Sequence, residues 1–443
     1  MPPALQHPAR LVPLAFLLAI ALGTILLMLP ISRAGEGSAP FLVALFTATS
    51  AVCVTGLIVV DTPTYFSPFG QVVILLLFQI GGLGIMSGAT LLGLLVSRRL
   101  SLSTRLIAQA ETRSLALGDV TAILKLVLLV TVGVELVTAG LLALRLRHAY
   151  QEPWGEALWH GLFQAVSAFS NAGFSTYSDS LMGFARDPLI LGPIMLSVVL
   201  GGIGFPVLHD LRREPRRPGR WSVHSKITLL GTGALLLGGM LAVLLYEWGN
   251  PATLGALDPA SRVLGAAFHS VMTRSGGFNA TDVGQMRPET LTISYGLMLI
   301  GGGSAGTAGG IKVTTFLVLG LVIWAEIRGE PDVTAFRRRI SRDVQRQALT
   351  VVLLAVGLVG TGTLILLSVS DFPLERVVFE IISAAATVGL STGITPDLPP
   401  AGQVVIVVLM FVGRVGTITV ATGLALRSKR SPYRYPEERP IVG

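Results

Sequence analysis

The sequence predicts an all-α membrane protein of four repeated units, each a helix, a short re-entrant helix and a second helix, set around a pseudo-fourfold central axis. Three observations lead there. Of the 443 residues, 51% are hydrophobic and only 13% charged, about half the charged share of a soluble globular chain. Apolar runs long enough to cross about 30 Å of hydrocarbon recur eight times. Four further apolar stretches, each too short to span, end in related glycine-containing tails.

This composition, with a mean hydropathy of +0.71, cannot furnish a water-exposed surface and excludes a cytosolic enzyme. The single cysteine, Cys53, excludes an internal disulfide and a thiolate metal cluster. A net charge of +8 does not point to nucleic acid, because the basic residues fall between hydrophobic runs instead of gathering on one soluble face. The 51 Gly and 25 Pro interrupt regular elements, which at membrane depth is tolerated only where backbone is buried in protein or lines a wet cavity.

In chain order the spans lie near 11–30, 70–96, 120–144, 188–208, 227–247, 291–325, 347–369 and 402–426. The first begins too soon after Arg10, and runs too long before Pro30, for a cleaved signal peptide, so it is expected as a helix. With the N-terminus in the cytoplasm, about 23 Lys and Arg fall inside and about 7 outside, which places both termini in the cytoplasm. The inner set includes Arg105, Arg113, Arg212, Arg213, Arg216, Arg217, Arg220, Arg337, Arg338, Arg339, Arg427 and Lys429. Such runs set topology and meet lipid headgroups, and they also offer a surface to a cytoplasmic partner.

The outward segments 41–57, 155–174, 261–278 and 374–390 each contain an apolar stretch too short to span and too greasy for water, the signature of a re-entrant helix. Their tails read Cys53-Val54-Thr55-Gly56-Leu57, Ser170-Asn171-Ala172-Gly173-Phe174, Arg274-Ser275-Gly276-Gly277-Phe278 and Ala386-Thr387-Val388-Gly389-Leu390. The four glycines are spaced by 117, 104 and 112 residues, and a second glycine register follows in each next span, at 81–84, 201–204, 301–303 and 413–416. Self-similarity at a steady period signals architecture. It divides the chain into repeats at 1–100, 101–212, 213–330 and 331–443, the third with a broken second helix and the fourth ending in a cytoplasmic tail. Four such units can ring a central pore. Each re-entrant helix then aims its partially negative C-terminal end at the axis, and the extended tails turn carbonyls toward a dehydrated cation. Glycine suits that backbone because a Cβ resists the φ/ψ values required.

These tails, the repeat number and the segment Gly301-Gly302-Gly303-Ser304-Ala305-Gly306-Thr307-Ala308-Gly309-Gly310-Ile311-Lys312 resemble the Trk/Ktr/HKT superfamily of cation transporters over essentially the whole chain. With eight spans and no extra N-terminal helix pair, the resemblance is closer to the Ktr-type membrane subunit than to the longer Trk type. It implies a potassium filter built from Val54, Thr55, Gly56, Asn171, Ala172, Gly173, Ser275, Gly276, Gly277, Thr387, Val388 and Gly389, with K+ held at those residues. In plant relatives a serine at the first glycine goes with sodium preference; here Gly56 is glycine, and the implied ion is potassium. Asn171-Ala172 and Ser275-Gly276 depart from the Thr-Val-Gly core of potassium channels, which leaves room for Na+. The resemblance further implies a homodimer in the inner membrane, and regulation by nucleotide only through a cytoplasmic nucleotide-binding ring docked on the inner loops.

The run 291–325 is too long for one crossing, and each helical Gly in its middle would cost about 1 kcal/mol relative to Ala, so it should break into two half-helices. The resemblance makes 301–310 an intramembrane gating loop below the filter, with Ser304 and Thr307 offering hydroxyls to the ion. Gly301, Gly303 and Gly306 also satisfy a GxGxxG pattern, but no strand precedes it and hydrophobic spans flank it, so a nucleotide loop is excluded. Lys312 and Arg414 are the basic residues left within spans, where charge is costly and faces a cavity or partner. Arg414 is expected to bond the loop's carbonyls and place an electrostatic barrier in the cation path. Lys312 either joins it or snorkels to the inner surface. Glu135 is the other costly mid-span residue, with no evident partner; Asp61, Glu156, His160, His269 and Glu380 cluster by sequence around the outer mouth. Two other readings are open at this level: a sodium-coupled secondary carrier, and an intramembrane lipid-acting enzyme using His160, His209 or Ser304.

Overall fold

The computed structural model describes residues 8–98 and 120–426. Its element order is helix, short helix, helix, four times over. The first unit comprises α1 (Pro8–Leu27), the short α2 (Phe41–Val52) and α3 (Pro68–Arg98). The second comprises α4 (Val120–Ala149), the short α5 (Trp154–Ser170) and α6 (Pro188–Ile203), continued by α7 (Phe205–Arg213). In the third, α8 (Val223–Glu247) and the short α9 (Pro259–Met272) precede α10 (Pro288–Leu299) and α11 (Val313–Arg328). The fourth is α12 (Arg342–Val369), the short α13 (Leu374–Ala385) and α14 (Pro400–Leu426).

Prolines set the frame. Pro40, Pro153, Pro259 and Pro373 open the four short helices, and Pro68, Pro188, Pro288 and Pro400 open the four helices that follow them. At a helix start a proline supplies the right φ, and the N–H it lacks would have had no intrahelical acceptor. The short helices are the most buried elements, carrying Phe46, Phe163, Phe268 and Phe379 at 1% exposure or less. The long helices instead present large apolar residues outward, among them Leu245, Ile327 and Leu364 at more than 70% exposure. That is inverted for water and natural for acyl chains.

The stretches Lys125–Ala149, Val223–Glu247 and Arg342–Val369 are each long and apolar enough to cross a membrane. Helices α1, α3 and α14, of 20, 31 and 27 residues, also have the length of a crossing at 1.5 Å per residue. As expected, the run around 291–325 is broken, with 300–312 non-helical between α10 and α11. The run 188–208, read as one helix, is broken too: α6 and α7 meet at 99°. The bend falls at Gly204, whose φ is +92°, and Pro206 in the next turn has no N–H to carry the ladder across.

Lys226 Nζ lies 5.7 Å from the centre of the Phe336 ring, so the basic segments 212–226 and 334–346 meet at that point. The latter includes a two-residue hairpin, β1 (Thr334–Ala335) with β2 (Arg338–Arg339). Arg105, Arg113 and the basic residues from Arg427 onward, including the expected C-terminal tail, lie outside the described residues.

Candidate functional site

The four short helices end at one place. Just beyond their C-termini, Gly56, Gly173, Gly277 and Gly389 have φ of +93°, +71°, +76° and +93°. Two residues before each glycine, Val54, Asn171, Ser275 and Thr387 are also left-handed, at +55°, +59°, +70° and +49°. Such φ values are uncommon for residues with a Cβ and a genuine outlier for β-branched Val54 and Thr387, so the surroundings must impose them. The same device four times over gives the tails one repeated backbone conformation.

The strands form a ring in chain order. A Cβ on Gly173 would lie 2.7 Å from Gly277 Cα, one on Gly56 would lie 3.1 Å from Gly173 Cα, and one on Gly389 would lie 3.0 Å from Gly277 Cα and 3.2 Å from Gly56 Cα. All four glycines line one cavity of about 270 Å³, whose outer wall carries Asp61, Asp179 and Asp282. Leu57, Phe174, Phe278 and Leu390, the large residues after each glycine, are at most 1% exposed and wedge the strands from behind. Serines six residues before the glycine pin three strands: Ser50 and Ser383 accept from the N–H of Gly56 and Gly389 at 3.1 Å, and Ser167 donates to Phe174 O at 2.8 Å. The third repeat has Val271 there.

The second glycine register now has a cause. A Cβ on Gly81, Gly201 or Gly413 would collide with the carbonyl oxygen of Val52, Phe169 or Ala385, each four residues before a ring glycine. Bare backbone there lets the following helix close on the end of the short one. In the third repeat that helix gives way to the 301–310 loop, which packs into the break of the second. Gly303 N–H donates to Gly202 O at 2.8 Å and Thr307 N–H to Gly201 O at 3.0 Å, satisfying carbonyls that α6 leaves without helical partners. Gly309 lies against Thr387 and Ala386, and its N–H donates to Ser275 Oγ at 3.0 Å.

A four-part ring of glycine-centred tails beside a cavity carrying three aspartates has the carbonyls and negative charge that a small cation would need. The sequence agrees: the model of the family described as TrkH, cation transport protein, matches residues 1–214 and 234–432. The chain belongs to the TrkH family of cation transport proteins. It is 40% identical over 436 residues to Ktr system potassium uptake protein B of Bacillus subtilis, covering 98% of this chain and 97% of that one. It is 35% identical over 444 residues to the potassium/sodium uptake protein NtpJ of Enterococcus hirae, covering 98% and 97%. The crystal structure of the potassium transporter TrkH from Vibrio parahaemolyticus shares the fold, with a TM-score of 0.71 over 93% of this chain and 83% of that one at 17% identity.

Within this TrkH-family chain, several residues differ from expectation. Arg274, named at first only as part of a tail, is buried at 5% exposure, its Nη2 donating to Gly301 O at 2.7 Å. Sequence reasoning passed over it because it sits inside a tail motif; a charge in an otherwise apolar or neutral register was the signal. Arg414, 3% exposed, reaches Thr387 Oγ1 at 3.4 Å, so it meets a ring strand. Lys312 does not snorkel: Nζ donates to Ala308 O at 2.6 Å. The Thr307 hydroxyl meets Asn171 Oδ1 at 2.7 Å and Phe169 O at 3.1 Å, and Ser304 pairs with Thr314 at 3.3 Å.

Glu135 has a partner after all: Gln79 Nε2 donates to it at 3.1 Å, and Gln79 Oε1 accepts from Ser170 at 3.1 Å, tying a mid-span carboxyl to the end of α5. Of the expected mouth cluster only Asp61 lines the vestibule. Glu380 is fully buried and accepts from Ser391 at 2.6 Å, Thr392 N at 2.8 Å and Thr395 at 2.7 Å, bracing the chain beyond Gly389. His269 is buried against Ser294 at 3.0 Å, and His160 pairs with Thr176 at 2.7 Å. His209 stands near the Phe205 ring, so His160, His209 and Ser304 form no nucleophile and base pair with one another. Membership in a transporter family, not an enzyme family, disposes of the lipid-acting enzyme reading.

Proposed function

We propose that the chain is the potassium-translocating membrane subunit of a Ktr-type uptake system, working as a channel-like pathway. The observation that carries this reading is the ring of Gly56, Gly173, Gly277 and Gly389, each with positive φ and each preceded by a left-handed residue, around one vestibule. Strands of that form present carbonyls to an ion as it sheds water, and the C-terminal ends of four short helices add partial negative charge. In this reading K+ is coordinated along 54–56, 171–173, 275–277 and 387–389, and the loop 301–310 with Lys312 and Arg414 forms the gate. The Bacillus subtilis relative, named a potassium uptake protein, supports the choice of ion.

The four repeats 1–100, 101–212, 213–330 and 331–443 are then the structural quarters of one pore. The subunit works as a homodimer in the inner membrane with both termini in the cytoplasm, and a separate nucleotide-binding ring docks on the basic inner segments 212–226 and 334–346. The word "system" in the relative's name supports a further component.

Permeation by sodium is the second reading, favoured by one observation: strands two and three carry Asn171-Ala172 and Ser275-Gly276 where a potassium channel has Thr-Val. The relative named for both ions is in line with it. Rubidium and sodium uptake in a potassium-transport-deficient cell, with and without candidate cytoplasmic subunits, tests both. Rubidium uptake above the empty-vector level is expected; none with any partner, from protein that reaches the membrane, overturns the proposal.

A further inference from the structure

Arg274 occupies the position three residues before the third ring glycine. The other repeats have Cys53, Ser170 and Ala386 there, all buried and none charged. Arg274 is the second residue past the C-terminal end of α9, where the helix's partial negative charge favours a cation. Its Nη2 donates to Gly301 O, at the start of the loop, at 2.7 Å. The next residue acts on the other end: Ser275 Oγ accepts from Gly309 N–H at 3.0 Å and donates to Thr387 O at 2.6 Å. Two successive residues of the third strand therefore grip both ends of the 301–310 loop, and one of them also joins the fourth strand.

Other contacts also seat the loop: its backbone donates to Gly201 O and Gly202 O, the neutral Thr307 hydroxyl meets Asn171 Oδ1 and Phe169 O, and Lys312, from the segment's own end, donates to Ala308 O. Arg274 differs. A loop that moved away would strip a buried guanidinium of its carbonyl at membrane depth, a costly state unless water or an ion takes the place. Ser275, at φ +70°, would lose the N–H that its hydroxyl accepts and with it part of the restraint on its own strand.

We propose that Arg274 is a positioning residue that latches the loop against the ring, and that through Ser275 the movement of the loop and the geometry of the third and fourth strands change together. This rests on the reading of 301–310 as the gate. Loop opening and ion discrimination are then linked, and weakening the latch moves both.

The full chain in lipid nanodiscs carries the test, with Ser304→Cys as a reporter in the loop, since native Cys53 is fully buried. Labelling by a water-soluble maleimide is measured alone and with Arg274→Ala, Arg274→Lys or Ser275→Ala. Arg274→Ala should speed labelling at least about tenfold, the order expected for loss of one charge-assisted hydrogen bond. In vesicles the same change should raise rubidium flux and lower the rubidium-to-sodium ratio. Arg274→Lys, which keeps a donor for Gly301 O, should restore most of both. Unchanged labelling in folded Arg274→Ala overturns the latch. Equal acceleration in the Ala and Lys variants with collapse of the melting temperature also overturns it, by making Arg274 a strut of the fold. If Arg274→Ala does not fold, Ser275→Ala decides, and an unchanged labelling rate there refutes the proposal. Absence of rubidium flux in the unaltered protein would refute the transport reading instead, while labelling still reports on the latch.

Discussion

Gly303 donates its backbone N–H to the carbonyl of Gly202 at 2.8 Å, so the segment that interrupts the third repeat completes the helix interrupted in the second. Two breaks that would each leave polar backbone stranded at membrane depth satisfy one another. The loop is thereby seated by hydrogen bonds that any displacement must give up, as the proposed gate requires.

Gly204 is the hinge of that seat. At φ +92° a Cβ is strained, and one there would also meet Ser304 O. Gly204→Ala should destabilise the closed arrangement by about 1–2 kcal/mol. Faster rubidium flux with a modestly lowered melting temperature is the expected result.

Gly56 tests the ring itself. A side chain at φ +93° would push on Ala172 O of the neighbouring strand. Gly56→Ser should lower the rubidium-to-sodium uptake ratio by about tenfold, a change of about 1.4 kcal/mol in discrimination. An unchanged ratio counts against these strands as the filter.

Deleting 303–308 should raise rubidium flux while costing stability, because Gly201 O and Gly202 O lose their donors. Folded protein that carries no flux would mean the segment is needed for passage and does not block it.

Arg414→Ala should likewise raise flux, since it removes a buried positive charge beside Thr387 of the fourth strand. The comparison with Arg414→Lys separates charge from shape: flux near the unaltered level with Lys points to charge, and flux near that of Ala points to the guanidinium's fit.

Asp187, which does not line the cavity at the ring, supplies a pH dependence. Burial pushes its carboxyl up, but hydrogen bonds from Arg145 at 2.8 Å, Leu189 N–H at 2.9 Å and Tyr150 at 3.0 Å outweigh it and hold the group below its ordinary value. A depressed carboxyl stabilises the fold above its unfolded value of about 3.9, and that stabilisation is lost as pH falls through the lower folded value. Asp187→Asn should therefore lower the melting temperature at pH 7, with the difference shrinking below about pH 4.

Much was legible in the sequence because hydrophobic length and the exceptional backbone freedom of glycine are properties of short segments. The apolar runs marked the long helices, the four tails marked the ring strands, and the glycine run of 301–310 marked the break in the third repeat. The left-handed backbone at Val54 and Thr387 was not legible: a β-branched residue does not adopt it by preference, and only the ring around it holds it there. Nor was the break at Gly204, since a glycine and a proline inside an apolar run become a 99° bend only when something fills the gap.

The sequence by itself determined that this is a membrane protein of four repeats whose glycines recur where backbone must come close. Tertiary structure alone decided which groups meet across repeats: Arg274 with Gly301, Ser275 with Gly309 and Thr387, Glu135 with Gln79, Gly202 with Gly303. The reason is physical. Local pattern follows from propensity and burial along a segment, whereas a buried charge or an orphaned carbonyl is satisfied by whatever folding brings beside it, often from more than fifty residues away.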